Sequence, residues 1–148
     1  MNKIDQMKNK YQQMVDEVSP QNTVVRNSVR AFWVGGVICT LGQWISTSLI
    51  NMGLTKDESA AITSIILIFI GAALTALNVY EKIGKYGGGG SAIPITGFAN
   101  SMVSAALEYK SEGYVFGLGA KIFTIAGPVV IYGVLSSSVI GIIYYFIK

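Results

Sequence analysis

One stretch of this 148-residue chain gathers small polar and charged side chains that could do chemistry together. Ser91, Thr96, Asn100, Ser101, Ser104, Glu108, Lys110, Glu112 and Lys121 follow one another there, with Pro94 and Gly97 among them. On a helix, Gly97, Ser101 and Ser104 share a face, with Asn100 and Glu108 nearby. Small and polar together suits either tight helix packing or a wet pore wall. Glu108 and Glu112 lie four apart, while Lys110 points elsewhere. One reading makes these charges a solvated helix end. The other makes them a pathway mouth, where Lys110 or Lys121 meets an anionic solute and Glu108 or Glu112 a cation. Two carboxylates fall short of a calcium site, which takes roughly six to eight oxygens.

Enzymatic chemistry finds little support. There is no histidine, so the usual general base is missing. The one cysteine, Cys39, stands in an apolar run with no metal-ligand spacing around it. A serine–lysine hydrolase using Ser101 or Ser104 with Lys121 would need an oxyanion hole and an oriented base, and no motif supplies either. The expectation is a non-enzyme with no metal and no cofactor.

The elements that must hold these residues are defined by where charge is absent. The chain is 51% hydrophobic and 13% charged. No charge falls between Arg30 and Lys56, between Glu58 and Glu81, between Lys85 and Glu108, or between Lys121 and Lys148. A membrane-crossing helix needs about 20 mostly apolar residues. A soluble bundle would need a polar stripe on each helix, and "ITSIILIFIGAALTALNV" has none. The expected fold is all-α: a polytopic integral membrane helical bundle with three clear transmembrane helices, plus a glycine-rich broken or re-entrant membrane segment. The spans are expected at 29–50, 59–79 and 122–147, with 87–107 as the broken segment.

Residues 1–28 are polar, unlike a cleaved secretion signal. Ile4, Met7, Tyr11, Met14, Val15 and Val18 recur at helical spacing. An amphipathic surface helix stopped by Pro20 and a partly ordered tail both fit. Arg26 and Arg30 precede the first span, and Lys82 and Lys85 follow the second, which puts the N-terminus in the cytosol. The formal charge of +3 is spread among membrane segments, suiting an anionic leaflet and not nucleic acid. Gly71 and Thr75 are expected in close helix packing, as are Gly133, Ser137 and Gly141 on one face of the last span. Asn78 either caps the second span or faces a cavity. Pro128 should kink or interrupt the last span, and Tyr144 and Tyr145 with Lys148 look like an interfacial anchor.

The segment "YGGGGSAIPITG" raises the sharpest question. An unpaired backbone group in lipid costs several kcal/mol, and glycine is about 1 kcal/mol worse than alanine in a helix. Gly87–Gly90 is therefore not expected as lipid-facing helix. Two readings stay open: an ordinary loop before a short helix, or a broken helix beside an aqueous path. Pro94 should end any helix entering it, and Thr96 should cap the next.

The string "GSAIPITGFANSMVSAALEYKSEG", preceded by "YEKIGKYGGG" and followed by "GLGAKIFTIAGPVVIYGV", resembles the stage V sporulation protein AC family. The related sporulation protein AEb is similar over the same region. Similarity continues through "VRAFWVGGVICTLGQ" and covers most of residues 26–148. The resemblance implies an integral protein of the inner spore (forespore) membrane. It implies passage of dipicolinic acid, with calcium, into the developing spore and its release at germination, through a pore described as mechanosensitive. It implies the dipicolinate-binding protein AD and the membrane protein AEb as partners. The alternative within that frame is a structural subunit that anchors partners without lining the path. The family motif falls on Gly90, Ser91, Pro94, Thr96, Gly97, Asn100, Ser101, Glu108, Lys110 and Glu112.

Overall fold

The computed structural model describes residues 3–18 and 23–147, and no strand occurs among them. Pro20 and Lys148, to which a helix stop and part of an anchor were assigned, lie outside the described residues. Helix α1, Lys3–Val18, leaves Ile4, Met7, Tyr11 and Val18 exposed along its apolar stripe.

Three helices are long and apolar enough to cross a membrane: Val24–Asn51, Lys56–Ala76 and Tyr114–Ile147. The first, α2, starts at Val24, ahead of the span expected from residue 29. The second, α3, starts at Lys56 because Thr55 and Glu58 form a capping box. The Thr55 backbone N–H donates to the Glu58 carboxylate at 3.0 Å, and the Glu58 N–H donates to Thr55 Oγ1 at 3.4 Å. The third is a π-helical turn, Tyr114–Gly119, running straight into a 28-residue helix, Ala120–Ile147. Pro128 lies inside that helix and does not interrupt it. Losing one intrahelical bond in an apolar helix costs less than exposing a whole broken turn to lipid.

Between the second and third long helices come α4 (Tyr80–Gly87), α5 (Gly89–Ala92) and α6 (Ile95–Tyr109), with a 3₁₀ turn at Lys110–Glu112. The long helix Ala120–Ile147 is α7.

The buried set is small and polar, including Ser59, Thr63, Thr75, Ser91 and Thr96, alongside Leu67, Tyr80, Ala99 and Ala105. Lipid is as apolar as leucine, so helices in it associate through close backbone approach and hydrogen bonds. Helix α3 carries the seam. Ser59, Thr63, Leu67, Gly71 and Thr75, every fourth residue, are all buried. The first part of that stripe meets α2. Ser59 Oγ donates to the Ser46 carbonyl at 2.9 Å, and the two hydroxyls lie 2.9 Å apart. Leu67 and Thr63 close over Gly42. The last part of the stripe meets α6.

Candidate functional site

The segment between α3 and α6 is built from a turn, two helix interruptions and several backbone contacts too close for a side chain. Helix α3 ends in a Schellman motif. Asn78 takes a left-handed φ of 58°, its N–H donates to the Thr75 carbonyl, and the Val79 N–H donates to the Leu74 carbonyl, both at 2.9 Å. Helix α4 then packs on α2. Gly87 sits against Val34, and the Arg30 guanidinium lies 4.8 Å from the Tyr86 ring centre. Gly88, at φ 50° and ψ −125°, ends α4 in a conformation closed to other residues. The single turn of α5 presses on α2 so closely that a Cβ on Gly90 would overlap the Ala31 backbone.

Pro94 occupies the position before α6 with an extended ψ of 162°, and no side chain caps that helix. Thr96, expected there as a cap, is instead buried in the first turn. Its Oγ1 lies 2.8 Å from the Tyr80 hydroxyl, which is also 2.8 Å from the Ser91 carbonyl. The Tyr80 hydroxyl has one proton and faces two acceptors, so it serves the Ser91 carbonyl and Thr96 Oγ1 one at a time. That relay ties α4, α5 and α6 together. A Cβ on Gly97 would overlap the Ser91 and Ala92 carbonyls, and one on Gly71 would stand 2.9 Å from the Thr96 carbonyl. The interruption is thus wedged between α2 and α3.

Helix α6 runs in the same sense as α3. Gly71 meets Thr96 and Ala99, and farther along Thr75 bonds Asn100. Still farther, Asn78 and Glu81 face Ser104 and Leu107. Helix α7 returns against α6, with Lys121 Nζ 4.3 Å from the Tyr109 ring centre and Val129 beside Phe98 and Ser101.

Two cavities lie along α6. The larger, about 680 Å³, is walled by Tyr80, Gly88, Ser91, Gly97, Asn100 and Ser101, with Val129 across from them. The smaller, about 370 Å³, is walled by Thr75, Asn78, Glu81, Asn100, Ser104 and Leu107. Hydroxyls and amides dominate their polar lining. Glu81 supplies the charge at the smaller one, held at 2.6 Å by Lys85. That hydrogen bond and the lysine's charge keep the Glu81 carboxyl below its ordinary range.

Of the residues singled out from sequence, Ser91, Gly97, Asn100, Ser101 and Ser104 stand on these walls, while Pro94 and Thr96 shape the segment behind them. Glu108, Lys110, Glu112 and Lys121 do not line either cavity; they gather at the elbow between α6 and α7. Gly71 and Thr75 lie in the α3–α6 contact. Gly133 and Gly141 have open space where a Cβ would sit, and Ser137 donates to its own helix at Val134. Tyr80 and Glu81 were missed as wall residues. Their one sequence signal is position, directly after the turn that ends an apolar run. Asn78 both caps and faces a cavity.

The sequence model of the SpoVAC/SpoVAEB sporulation membrane proteins matches residues 27–143. The chain is 43% identical over 140 residues to the stage V sporulation protein AC of Bacillus subtilis (strain 168), an alignment covering 94% of this chain and 93% of that protein. No solved structure matches the chain.

Proposed function

Because the chain belongs to the SpoVAC/SpoVAEB family of sporulation membrane proteins, we propose that it is a channel subunit for dipicolinic acid, with calcium. Dipicolinate enters the developing spore through it and leaves at germination, with membrane tension as the opening stimulus. The observation that carries this reading is the pair of cavities, with hydroxyl and amide groups on otherwise apolar walls, held by an interrupted helix among helices long enough to span a membrane. Non-helical backbone at membrane depth is tolerated beside protein or water. The larger cavity falls within the range of about 300–1,000 Å³ usual for small-molecule sites. Its Asn100 amide offers N–H donors to a carboxylate-rich solute, and its wall carries no fixed charge that would hold that solute, as conduction requires.

The segment's direction supports re-entry. Helix α6 starts beside Gly71, about 7 Å before α3 ends at the usual rise per residue, and proceeds toward the same side. In this reading residues 80–109 enter and leave on one face. Arg26, Arg30, Lys82, Lys85, Lys110 and Lys121 then share that face, which the positive-inside rule makes cytosolic. The inner spore membrane and the partners AD and AEb complete the proposal.

The exposed length of α7 favours a second reading, an anchoring subunit that offers this helix to partners while the path lies elsewhere. Reconstitution separates the two. The purified chain alone, in liposomes loaded with dipicolinate, should release it on osmotic downshift, and Gly97→Val should insert without releasing. No release at any step would overturn the channel reading and leave the anchoring one.

A further inference from the structure

We propose that Asn100 is a movable partition between the two cavities, latched shut by Thr75. This rests on the reading that the cavities belong to a solute path. Among the described residues, Asn100 alone lines both cavities. Its Oδ1 lies 2.9 Å from Thr75 Oγ1, which ties α6 to α3 at that point. Ser101 is on the wall of the larger cavity and Ser104 on that of the smaller, and in this proposal turning the amide away from Thr75 joins the two.

The surrounding backbone stays fixed while the side chain moves. One turn before Asn100, Gly97 is wedged against the Ser91 and Ala92 carbonyls, and the Thr96 backbone is wedged against Gly71. Sliding α6 would break these contacts together, whereas rotating one asparagine breaks none of them.

The latch also opens at small cost. Thr75 Oγ1 lies 2.7 Å from the Gly71 carbonyl as well as 2.9 Å from Asn100. A threonine hydroxyl has one proton, which serves one acceptor at a time. With Asn100 latched, the proton goes to its Oδ1. With Asn100 turned away, the proton goes to Gly71, and no buried donor is stranded. Asn100 meanwhile exchanges a threonine for water or solute in the cavity. The closed form is then favoured by about the net worth of one neutral hydrogen bond, roughly fivefold (about 1 kcal/mol at 25 °C). The amide carries a donor group and an acceptor and no charge.

Cysteine labelling of the full chain tests this in proteoliposomes, in a Cys39→Ser background. Ser104→Cys reports the smaller cavity and Ser101→Cys the larger. A charged, membrane-impermeant thiosulfonate is added from the side that reaches Glu81. S104C should react fast and S101C slowly. Adding Thr75→Val should speed S101C about threefold, because loss of one hydrogen bond takes the open form from roughly one in six to roughly one in two, and Asn100→Ala should speed it further. Asn100→Leu, bulky and without an amide to hydrate, should keep S101C slow. The S104C rate should stay constant throughout and so report an intact fold. Equal rates at both cysteines in the unaltered chain, or no response of S101C to either Thr75→Val or Asn100→Ala, would overturn the partition. Dipicolinate release from the same vesicles separates the two claims. No release with the expected labelling pattern overturns the channel reading and keeps the partition. Release that is indifferent to Asn100 and Thr75 overturns the partition and keeps the channel.

Discussion

Helices α3 and α7 both carry small residues four apart, and their surroundings differ. On α3 the stripe Ser59, Thr63, Leu67, Gly71 and Thr75 is buried along its whole length, shared between α2 and α6. On α7 Gly133, Ser137 and Gly141 form the same kind of face, and every residue from Pro128 to Ile147 is exposed within the chain. The cause lies in α6. It starts beside Gly71, meets α7 as far as Val129, and extends no farther. Spacing of small residues makes a helix face able to approach another backbone. Whether it does so within one chain depends on how far the neighbouring element reaches.

The largest effect should therefore follow Gly71→Leu. A Cβ there already stands 2.9 Å from the Thr96 carbonyl, and leucine must push α6 off α3. Overpacking of this kind costs about 1–3 kcal/mol or more. Thermal unfolding in detergent should fall markedly, and a midpoint matching the unaltered chain would mean the contact is slack. Tyr80→Phe should come next. It strips the Ser91 carbonyl and the Thr96 hydroxyl of their shared partner. An unsatisfied buried group costs about 1–3 kcal/mol. Loss of hydrogen-exchange protection confined to α5 and the start of α6 would show the relay holding the interruption, and uniform protection would remove that role.

Gly133→Leu and Gly141→Leu should leave the single chain's stability within about 0.5 kcal/mol, the usual effect at an unpacked site. If α7 packs against a second chain, the same changes should lower the yield of complex on detergent extraction. Unchanged yield and elution would mean that the face looks at lipid. The smallest effect is expected at the cavity mouth, away from either stripe. Lys85 lowers the Glu81 pKa, so the carboxylate keeps its charge, and any stability the pair adds, to a lower pH than an ordinary glutamate. That contribution is lost as pH falls through the depressed value. Lys85→Ala should move the loss upward toward the ordinary glutamate range and remove at neutral pH whatever stability the pair adds, while solute release at neutral pH stays unchanged. A shift in solute release at neutral pH would give Lys85 a role beyond this pairing.

Much is legible in the amino-acid sequence. Stretches free of charge mark the three long helices, because a charged side chain is costly in hydrocarbon wherever it falls in a span. The family was readable from the string between Gly90 and Gly113. The polar cluster from Ser91 to Ser104 was visible as a cluster, but its residue types fit tight packing and a wet wall equally well. The capping box at Thr55 and Glu58 was equally available, as a threonine with a glutamate three residues on, and it moves the start of α3 ahead of Ser59.

Tertiary structure alone decided which of these residues meet. Tyr80 reaches Ser91 and Thr96, 11 and 16 positions away, because the Asn78 turn and the Gly88 break fold α4 and α5 back against α2. Glu108, Lys110, Glu112 and Lys121 share the chemistry of a pathway mouth, yet the α6–α7 elbow carries them clear of both cavities. Thr75 finds Asn100 across 25 residues because α6 runs the same way as α3. Residue type and spacing are local properties of a chain, whereas the direction in which a helix leaves a break is set by which backbones wedge together. Here those wedges are Gly90 on Ala31, Gly97 on Ser91 and Ala92, and Gly71 on Thr96.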